Sequence, residues 1–221
     1  MPAAKPHLTS NALPLLIATT NPGKIREFRE MLGVERFEWT DLAHYPEVTA
    51  VEETGHTFLA NASLKASHYA RLLGMPAIAD DSGLEVDALD GKPGVHSARW
   101  AEMNNAGRGD ADTNALLLRQ LSEVPDDQRT ARFVCVLALA DASGQVLLTA
   151  RDTMEGQIIH APRGQNGFGY DPLFRVAAHG RTTAELSPAE KHAVSHRGKA
   201  LRRLRELMEQ QNVAEKLGSS T

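Results

Sequence analysis

Two neighbouring apolar segments, separated by a short polar turn, constrain the fold of this chain most. Phe133–Ala140 is almost wholly apolar, and Val146–Thr153 begins with an apolar run. Asp141-Ala142-Ser143-Gly144 lies between them and has the composition of a tight turn. The two segments therefore predict an antiparallel pair of buried strands.

Strands and helices alternate upstream of this pair. The predicted elements in chain order are strand Leu15–Thr19, helix Lys24–Leu32, a short strand within residues 36–55, helix Thr57–Leu73 and strand Ala77–Ala79. An Asp-Asp-Ser-Gly turn is predicted to follow, with Leu84–Leu89 pairing back as a hairpin. Alternation followed by an antiparallel pair predicts an α/β fold with a mixed central sheet flanked by helices.

The remaining chain predicts loops and helices. Residues 91–109 and 161–172 are predicted to be loops, and Asp112–Leu121 is predicted to be a helix. Ser187-Pro188-Ala189-Glu190 is a capping box that opens a C-terminal helical region. This region is predicted to restart at Ser195 and to run to about Gln211.

The composition is that of a globular protein and excludes several classes. Of 221 residues, 42% are hydrophobic, and the net charge of −4 disfavours a nucleic-acid partner. No window has the length of a membrane span or signal peptide, and Cys135 is a lone cysteine without a polar neighbour in its apolar run. We expect a cytoplasmic protein with no membrane partner. Its domain should cover residues 14–211, between a flexible leader (1–13) and a flexible tail (212–221).

The turn after the first strand has the composition of an anion site. Thr19-Thr20-Asn21-Pro22-Gly23-Lys24 combines hydroxyls, a lysine and the N–H groups of a helix start, which together suit phosphate oxygens. The spacing and the number of glycines differ from those of a Walker A loop. An ordinary capped turn with a surface lysine explains the same residues, and the motif alone favours that interpretation.

Acidic residues form a second candidate site. Asp80 and Asp81 follow a buried strand, where carboxylates need a cation, and Mg²⁺ prefers such oxygen ligands. Successive strand residues face opposite ways, so one aspartate should face the cleft and the other support the turn. Glu52-Glu53 precedes a helix and either supplies a further ligand or complements the helix dipole. Asn61 and Lys65 share a face of that helix.

An aromatic loop and a basic helix are the last candidates. Gly167-Phe168-Gly169-Tyr170-Asp171-Pro172 offers a flat ring for stacking and an acceptor, although a tight turn with the phenylalanine in the core is the simpler explanation. Lys191, His192, His196 and Arg197 follow on predicted helix. The two histidines lack a third zinc ligand nearby. The guanidinium suits a carbonyl or phosphate acceptor.

The order of these motifs is more specific than any one of them. In chain order they are Thr-Thr-Asn-Pro-Gly-Lys, Glu-Glu-Thr-Gly, Ala-Asp-Asp-Ser-Gly-Leu, Pro-Gly-Val-His-Ser-Ala-Arg, Gly-Phe-Gly-Tyr-Asp-Pro and Ser-His-Arg. The series spans roughly residues 15–205 and resembles the inosine triphosphate pyrophosphatase family, in bacteria the dITP/XTP pyrophosphatases. The resemblance implies an elongated, two-lobed single domain with the active site in the cleft between lobes, a homodimer, Mg²⁺ as cofactor, and hydrolysis of ITP, dITP and XTP.

The resemblance also implies roles for individual residues. Asp81 is implied as the catalytic proton acceptor and, with Glu53, as a ligand of Mg²⁺. The implied substrate contacts are Thr19, Thr20, Asn21, Pro22, Gly23, Lys24, Ser82, Phe168, Gly169, Tyr170, Asp171, Lys191, His196 and Arg197. Thr20 departs from the pattern, since many relatives are expected to carry glycine there. Arg197 has donors only and therefore fits a 6-oxo group on the base.

Two alternative functions remain. One is a Maf-like pyrophosphatase acting on pyrimidine nucleotides, against which the Gly-Phe-Gly-Tyr-Asp and Ser-His-Arg motifs argue. The other is a module that binds nucleotides without turnover. Binding alone does not require Asp81, Glu53 and Lys24 together, so this alternative ranks lower.

Overall fold

The protein is described by a computed structural model over residues 12–32 and 37–218. Its strands are β1 Leu13–Ile17, β2 Phe37–Asp41, β3 Ala77–Val86, β4 Thr130–Ala140, β5 Val146–Ile158 and β6 Phe174–Val176. In these ranges they form one six-stranded sheet in the order β2-β1-β3-β4-β5-β6. β1 is parallel to β2 and β3, and the pairs from β3 onwards are antiparallel. The predicted mixed sheet is therefore confirmed, with β4 and β5 as its predicted antiparallel pair.

Helices cover both faces of the sheet. They are α1 Pro22–Leu32, α2 Phe58–Leu73, α3 Trp100–Met103, α4 Gly109–Gln120, α5 Pro188–Val194, α6 His196–Gln210 and α7 Val213–Gly218. Short 3-10 helices lie at Leu42–His44, Asp87–Leu89, Gly94–Arg99, Asp126–Gln128 and Thr183–Glu185. α2 packs on β3 and β4 from one face, and α6 packs on β4 and β5 from the other. In the part of the chain that the structure describes, no helix has the length and apolar character needed to span a bilayer.

Local signals explain where the main helices begin and end. The side chain of Thr57 accepts from the backbone N–H three residues on, and Gly74 ends α2 with a left-handed φ of 63°. The predicted capping box of Ser187 and Glu190 is present at α5. Ser195 Oγ accepts from Gly198 N and caps α6, so the predicted restart of the helix is confirmed.

Three apolar cores form among the described residues and divide the molecule into two lobes. One core lies under α1, α6 and α7, and a second lies between α2 and the opposite face of the sheet. Together these make up what we call the first lobe. The third core, the second lobe, surrounds α4, β6 and the far ends of β3, β4 and β5. Ile78 of β3 belongs to the first lobe and Leu84 to the second, so residues 80–83 lie at the boundary.

The predicted turn at residues 80–83 and the hairpin that should follow it are wrong. β3 is one continuous strand that pairs with β4 along its whole length, from Ala77 opposite Ala140 to Val86 opposite Ala131. Both aspartates of the strand are paired with cations from other elements, so they do not interrupt it. The continuous strand therefore runs from the first lobe into the second, beside β4, whereas a hairpin would turn back.

Two further segments differ from expectation. Residues 91–109 are not one loop but contain a 3-10 helix and α3. Within the 3-10 helix, Ser97 Oγ donates to Gly94 O at 2.6 Å and accepts from Leu84 N of β3 at 2.8 Å. Residues 213–218 form α7, and its Val213 and Leu217 are 1% and 5% exposed in the first core. This part of the expected tail is packed structure, whereas residues 1–11 and 219–221 lie outside the described residues.

Candidate active site

A pocket of about 330 Å³ lies between the two lobes. Its walls come from the β1–α1 turn, α2, the middle of β3, α4, the loop before β6, and the α5–α6 region. Every predicted substrate contact lines it except Pro22 and Gly23, which begin α1. Asp81 lies behind the pocket wall, bonded to Lys65, which lines it. The structure thus gathers residues that are spread over most of the sequence.

The turn between β1 and α1 directs Lys24 into the pocket. Asn21 Oδ1 accepts from the backbone N–H of Lys24 at 3.1 Å, so the asparagine caps the first turn of the helix. The lysine ammonium forms an ion pair with Asp80 and is not a free surface charge. A Cβ on Gly23 would lie 2.7 Å from the ring of Phe168, so only glycine permits this approach. The two predicted binding loops therefore meet.

Asp80 and Asp81 point to opposite faces of β3, as the alternation of strand residues requires. Asp80 accepts from Arg197 Nε and from Cys135 Sγ at 3.0 Å each, and it pairs with Lys24. Burial acts to raise its pKa, but the two positive charges outweigh burial and hold the pKa of Asp80 well below its usual range. Asp80 is thus an anion that fixes two cations. The expectation that the cysteine has no polar neighbour is wrong.

Lys65 joins the two carboxylates expected to hold a metal. Its Nζ lies 3.0 Å from Asp81 Oδ1 and 2.7 Å from Glu53 Oε1. Asn61 donates to Asp81 Oδ2 at 3.2 Å and accepts from Gly55 N at 2.8 Å, which holds the segment before α2 in place. Burial raises the pKa of Asp81 although the nearby ammonium opposes the shift. At Glu53 burial also acts to raise the pKa, but the same ammonium outweighs it and lowers the pKa.

The aromatic loop is held by contacts along its length. Asp171 Oδ2 accepts from the backbone N–H of Phe168 at 2.8 Å and from Lys191 Nζ at 2.7 Å. Tyr170 donates its hydroxyl to Ser97 O at 3.0 Å. The Phe168 ring lines the pocket with Lys191 Nζ 5.0 Å from its centroid, so it is not a core residue. Asp171 is 3% exposed, and its carboxylate accepts from Phe168 and Lys191 of the protein itself. The sequence had suggested that it accepts from the ligand.

Arg197 is buried where α1, β3 and α6 meet. Its Nε donates to Asp80, its Nη2 donates to Ser82 Oγ at 2.8 Å, and its Nη1 pairs with Glu27. Glu27 also lies 3.1 Å from Lys191 Nζ. The side chain of Arg197 is only 2% exposed, so it faces the pocket as a fixed guanidinium.

His196 supplies an aromatic wall. Its ring stacks on Phe133 with centroids 4.9 Å apart and planes inclined by 12°. Burial, reinforced by the charge of Arg197, holds the pKa of His196 well below its usual range, so the ring is neutral. Its Nδ1 has no hydrogen-bond partner among the described residues. The pocket therefore has an uncharged, flat wall on this side.

Comparison with known proteins agrees with this geometry. The model of the Ham1 family matches residues 15–207, which is most of the chain. The chain belongs to the Ham1 family. It is 52% identical over 190 residues to the dITP/XTP pyrophosphatase of Exiguobacterium sibiricum, and 50% identical over 196 residues to that of Geobacillus kaustophilus. These matches cover 86% and 89% of this chain and 94% of each relative.

Solved structures of Ham1 proteins have the same fold. A HAM1 protein from Coxiella burnetii matches with a TM-score of 0.80 and 42% identity, covering 90% of this chain and 99% of that one. The nucleoside-triphosphatase, dITP/XTP pyrophosphatase, from Mycobacterium abscessus matches with a TM-score of 0.70 and 45% identity, covering 87% and 98%. The resemblance identified from the motifs is therefore confirmed. All predicted site residues lie inside the segment that the Ham1 model matches, and α7 lies beyond it.

The acidic side of this Ham1 site fits a hydrated divalent cation. Glu53 and Asp81 bind one and the same ammonium, so they lie close enough for one cation to reach both. Within residues 12–32 and 37–218 there is no group of three or more His, Cys, Asp or Glu side chains placed to hold a metal. Mg²⁺ is commonly held by one or two carboxylates, with water and phosphate oxygens completing its shell. Two carboxylates therefore suffice when a triphosphate supplies the rest.

Glu27, Asp110 and Asn114 belong to the site although no motif marks them. Glu27 is 4% exposed, but nothing in the pattern of α1 separates it from the exposed Glu30 of the same helix. Asp110 accepts from Gly169 N at 2.6 Å, and Asn114 donates to Gly169 O at 3.0 Å. Their four-residue spacing is a signal of a shared helix face. The predicted helix began at residue 112, however, which left Asp110 outside it.

Proposed function

We propose that this chain hydrolyses the non-standard purine nucleoside triphosphates ITP, dITP and XTP to the monophosphate and pyrophosphate, and so removes them from the nucleotide pool. One observation carries the proposal. A single pocket, in a chain that is 50–52% identical to two dITP/XTP pyrophosphatases, has Glu53 and two lysines at one end, with Asp81 bonded to Lys65 behind the wall, and an aromatic loop at the other. A triphosphate needs the first end and a flat base the second.

The phosphate end assigns separate tasks to its residues. Glu53 and Asp81 would hold Mg²⁺, which neutralises phosphate charge and lowers the pKa of a bound water. Asp81 accepts the proton of the water that attacks the α-phosphorus, and pyrophosphate leaves. Lys24 and Lys65 place positive charge against the phosphate oxygens, where negative charge grows in the transition state.

The base end accounts for selectivity. The base stacks on Phe168, with the neutral His196 ring as a second wall. Arg197 uses one N–H on each of its three nitrogens inside the protein, which leaves one N–H on each terminal nitrogen. Such an N–H donates a hydrogen bond to the 6-oxo group of hypoxanthine or xanthine, whereas the 6-amino group of adenine would face it donor to donor.

The decisive experiment measures pyrophosphate release from ITP, dITP, XTP, GTP, ATP, dTTP and UTP, with Mg²⁺ and with EDTA. We expect turnover of the first three and its loss in EDTA. Asp81→Asn keeps the shape of the side chain but removes the base, so its turnover should fall by at least about a hundredfold in a folded protein.

Other outcomes would change the proposal in defined ways. Equal turnover of ATP and ITP would keep the pyrophosphatase and remove the argument for base selectivity. Preference for dTTP or UTP would favour the Maf-like alternative. No pyrophosphate release by folded protein would favour binding without turnover.

The proposal also includes a homodimer in the cytoplasm, as the resemblance to the family implies. Light scattering after size-exclusion chromatography measures the first part directly. A mass of two chains supports the dimer, and a mass of one chain contradicts it.

A further inference from the structure

The start of α4 grips the aromatic loop from another element. Asp110 and Asn114 lie four residues apart and therefore on one face of α4. Asp110 Oδ2 accepts from the backbone N–H of Gly169 at 2.6 Å, and Asn114 Nδ2 donates to the backbone C=O of Gly169 at 3.0 Å. Both polar groups of one loop residue are thus bonded to a helix more than fifty residues earlier in the chain.

The gripped residue is the direct neighbour of the stacking ring in the chain. Gly169 directly follows Phe168 and has a φ of +62°, a left-handed conformation that glycine adopts without strain. Across the described chain, no other group is hydrogen-bonded to the backbone of Gly169. The other anchors of the loop act at Asp171 and Tyr170. Without α4, Gly169 would keep no hydrogen bond within the described chain, and Phe168 would be held by Asp171 alone, through its N–H at 2.8 Å and its C=O at 3.3 Å.

Among the described residues, the grip makes no hydrogen bond or ion pair to the acidic side of the pocket. Asp81 is held by α2 residues, Lys65 and Asn61, and neither contacts α4 or the aromatic loop through a hydrogen bond or ion pair. Asp110 lines the same pocket as Phe168 and bonds Gly169 N at 2.6 Å. Loss of the grip should therefore disturb the base and leave the reacting phosphorus in place.

We propose that Asp110 and Asn114 are positioning residues that fix Phe168 for stacking on the base of the substrate. They act through Gly169 and do not touch the phosphate groups. The inference rests on the proposed function, because stacking on Phe168 is part of it. A residue that holds the base equally in the ground state and in the transition state changes KM and leaves kcat unchanged.

The test compares variants that differ in one hydrogen-bonding group. Asp110→Ala removes the acceptor and should raise KM for ITP about fivefold, with kcat changed less than about twofold. Asp110→Asn keeps a carbonyl oxygen that can accept from Gly169, so it should restore KM to near the wild-type value. Asn114→Leu removes the donor and should behave like Asp110→Ala. Asp127→Ala is the matched control, since it removes one exposed aspartate outside these contacts.

A second readout does not depend on turnover. Hydrogen–deuterium exchange of a peptide covering residues 164–173 should speed up in Asp110→Ala and Asn114→Leu but not in Asp127→Ala. Unchanged exchange in Asp110→Ala, or a fall in kcat at constant KM, would overturn the proposal. If wild-type protein releases no pyrophosphate, the proposed function fails, while faster exchange in Asp110→Ala still supports the grip on the loop.

Discussion

Glu27 contacts no substrate in the proposed function, yet it joins two residues that do. It pairs with Arg197 and lies 3.1 Å from Lys191 Nζ, and it is 4% exposed. Burial acts to raise its pKa, but the two positive charges outweigh burial and lower the pKa of Glu27 from its usual 4.5 to about 2. A carboxyl group with a lowered pKa stabilises the fold above its unfolded pKa, and this stability is lost as the pH falls towards 2.

Replacing Glu27 with glutamine should therefore change how stability depends on pH. In the wild type, the contribution of Glu27 to the free energy of unfolding should fall by about 3 kcal/mol between about pH 5 and pH 2. Glu27→Gln should be less stable at pH 7, because it leaves buried positive charge uncompensated, and its stability should fall less steeply in acid. Urea unfolding across this range measures both effects. Glu30→Gln, on the same helix but exposed, is the control, and equal slopes for the two variants would show that the pKa of Glu27 is not lowered.

At the scale of elements, β3 connects the two lobes and passes close to the 3-10 helix Gly94–Arg99. A Cβ on Gly83 would lie 2.4 Å from both Gly94 O and Ser97 Oγ. It would fit only if these atoms moved away. Ser97 ties the two segments together, since it bonds both Leu84 N and Gly94 O. Because Gly83 has no side chain, β3 can lie close to the 3-10 helix, and this keeps Asp81 and Ser82 at the pocket.

Gly83→Ala should force these two segments apart. We expect a loss of about 2 kcal/mol in unfolding free energy, as for other overpacked positions, together with reduced turnover. Gly91→Ala has open space around its Cβ and a φ of +79°. Its unfolding free energy should fall only by the roughly 1 kcal/mol that a left-handed conformation costs a residue with a Cβ. Chemical denaturation compares the two. Equal stability of the variants would mean that the close approach at Gly83 is not a real constraint.

The same scale shows what the sequence can and cannot predict. Helices were predictable because their signals are local: Thr57 and Gly74 bound α2, and Ser187 begins α5. β3 was not, because its charges are compensated by partners far along the chain. Asp80 and Arg197, for example, are 117 positions apart. An acidic pair looks like a turn until the cations that meet it are known.

In the candidate site, the sequence predicts which residues gather but not how they pair. The ordered motifs identify which residues gather in the pocket, and the resemblance gives them roles. Their pairing is a property of the folded chain: Lys65 bridges Glu53 and Asp81 only because α2 packs beside β3. The positions that no motif marked, Glu27 and Asp110, act on other residues of the site, so their residue types alone carry no signal.

For the whole molecule, α7 closes the first core from outside the segment shared with the Ham1 model. It contacts β1 and α6, and buries Val213 and Leu217. None of the α7 side chains that the structure describes lines the pocket. The helix therefore contributes to stability at a distance from the proposed chemistry.

Removing α7 should destabilise the protein and spare its chemistry. A chain ending at residue 211 should lose about 3–5 kcal/mol of unfolding free energy relative to one ending at residue 218, since two apolar side chains leave the core. At a temperature where both are folded, kcat should be the same. Thermal melts and steady-state rates measure the two effects. Equal melting temperatures would show that α7 does not belong to the core.

The row of ion pairs through the pocket also has an evolutionary consequence. Each charge is paired with a charge on another element, so a single substitution leaves a partner uncompensated, and the effects of two substitutions on paired residues do not add. Mutational paths through these positions are therefore epistatic: a change tolerated in one background is harmful in another. Lineages that drift towards new bases should change the aromatic loop and its supports first, and keep the charges nearly fixed. The ion pairs form two groups, one of Glu53, Lys65 and Asp81 and the other of Lys24, Asp80, Arg197, Glu27, Lys191 and Asp171.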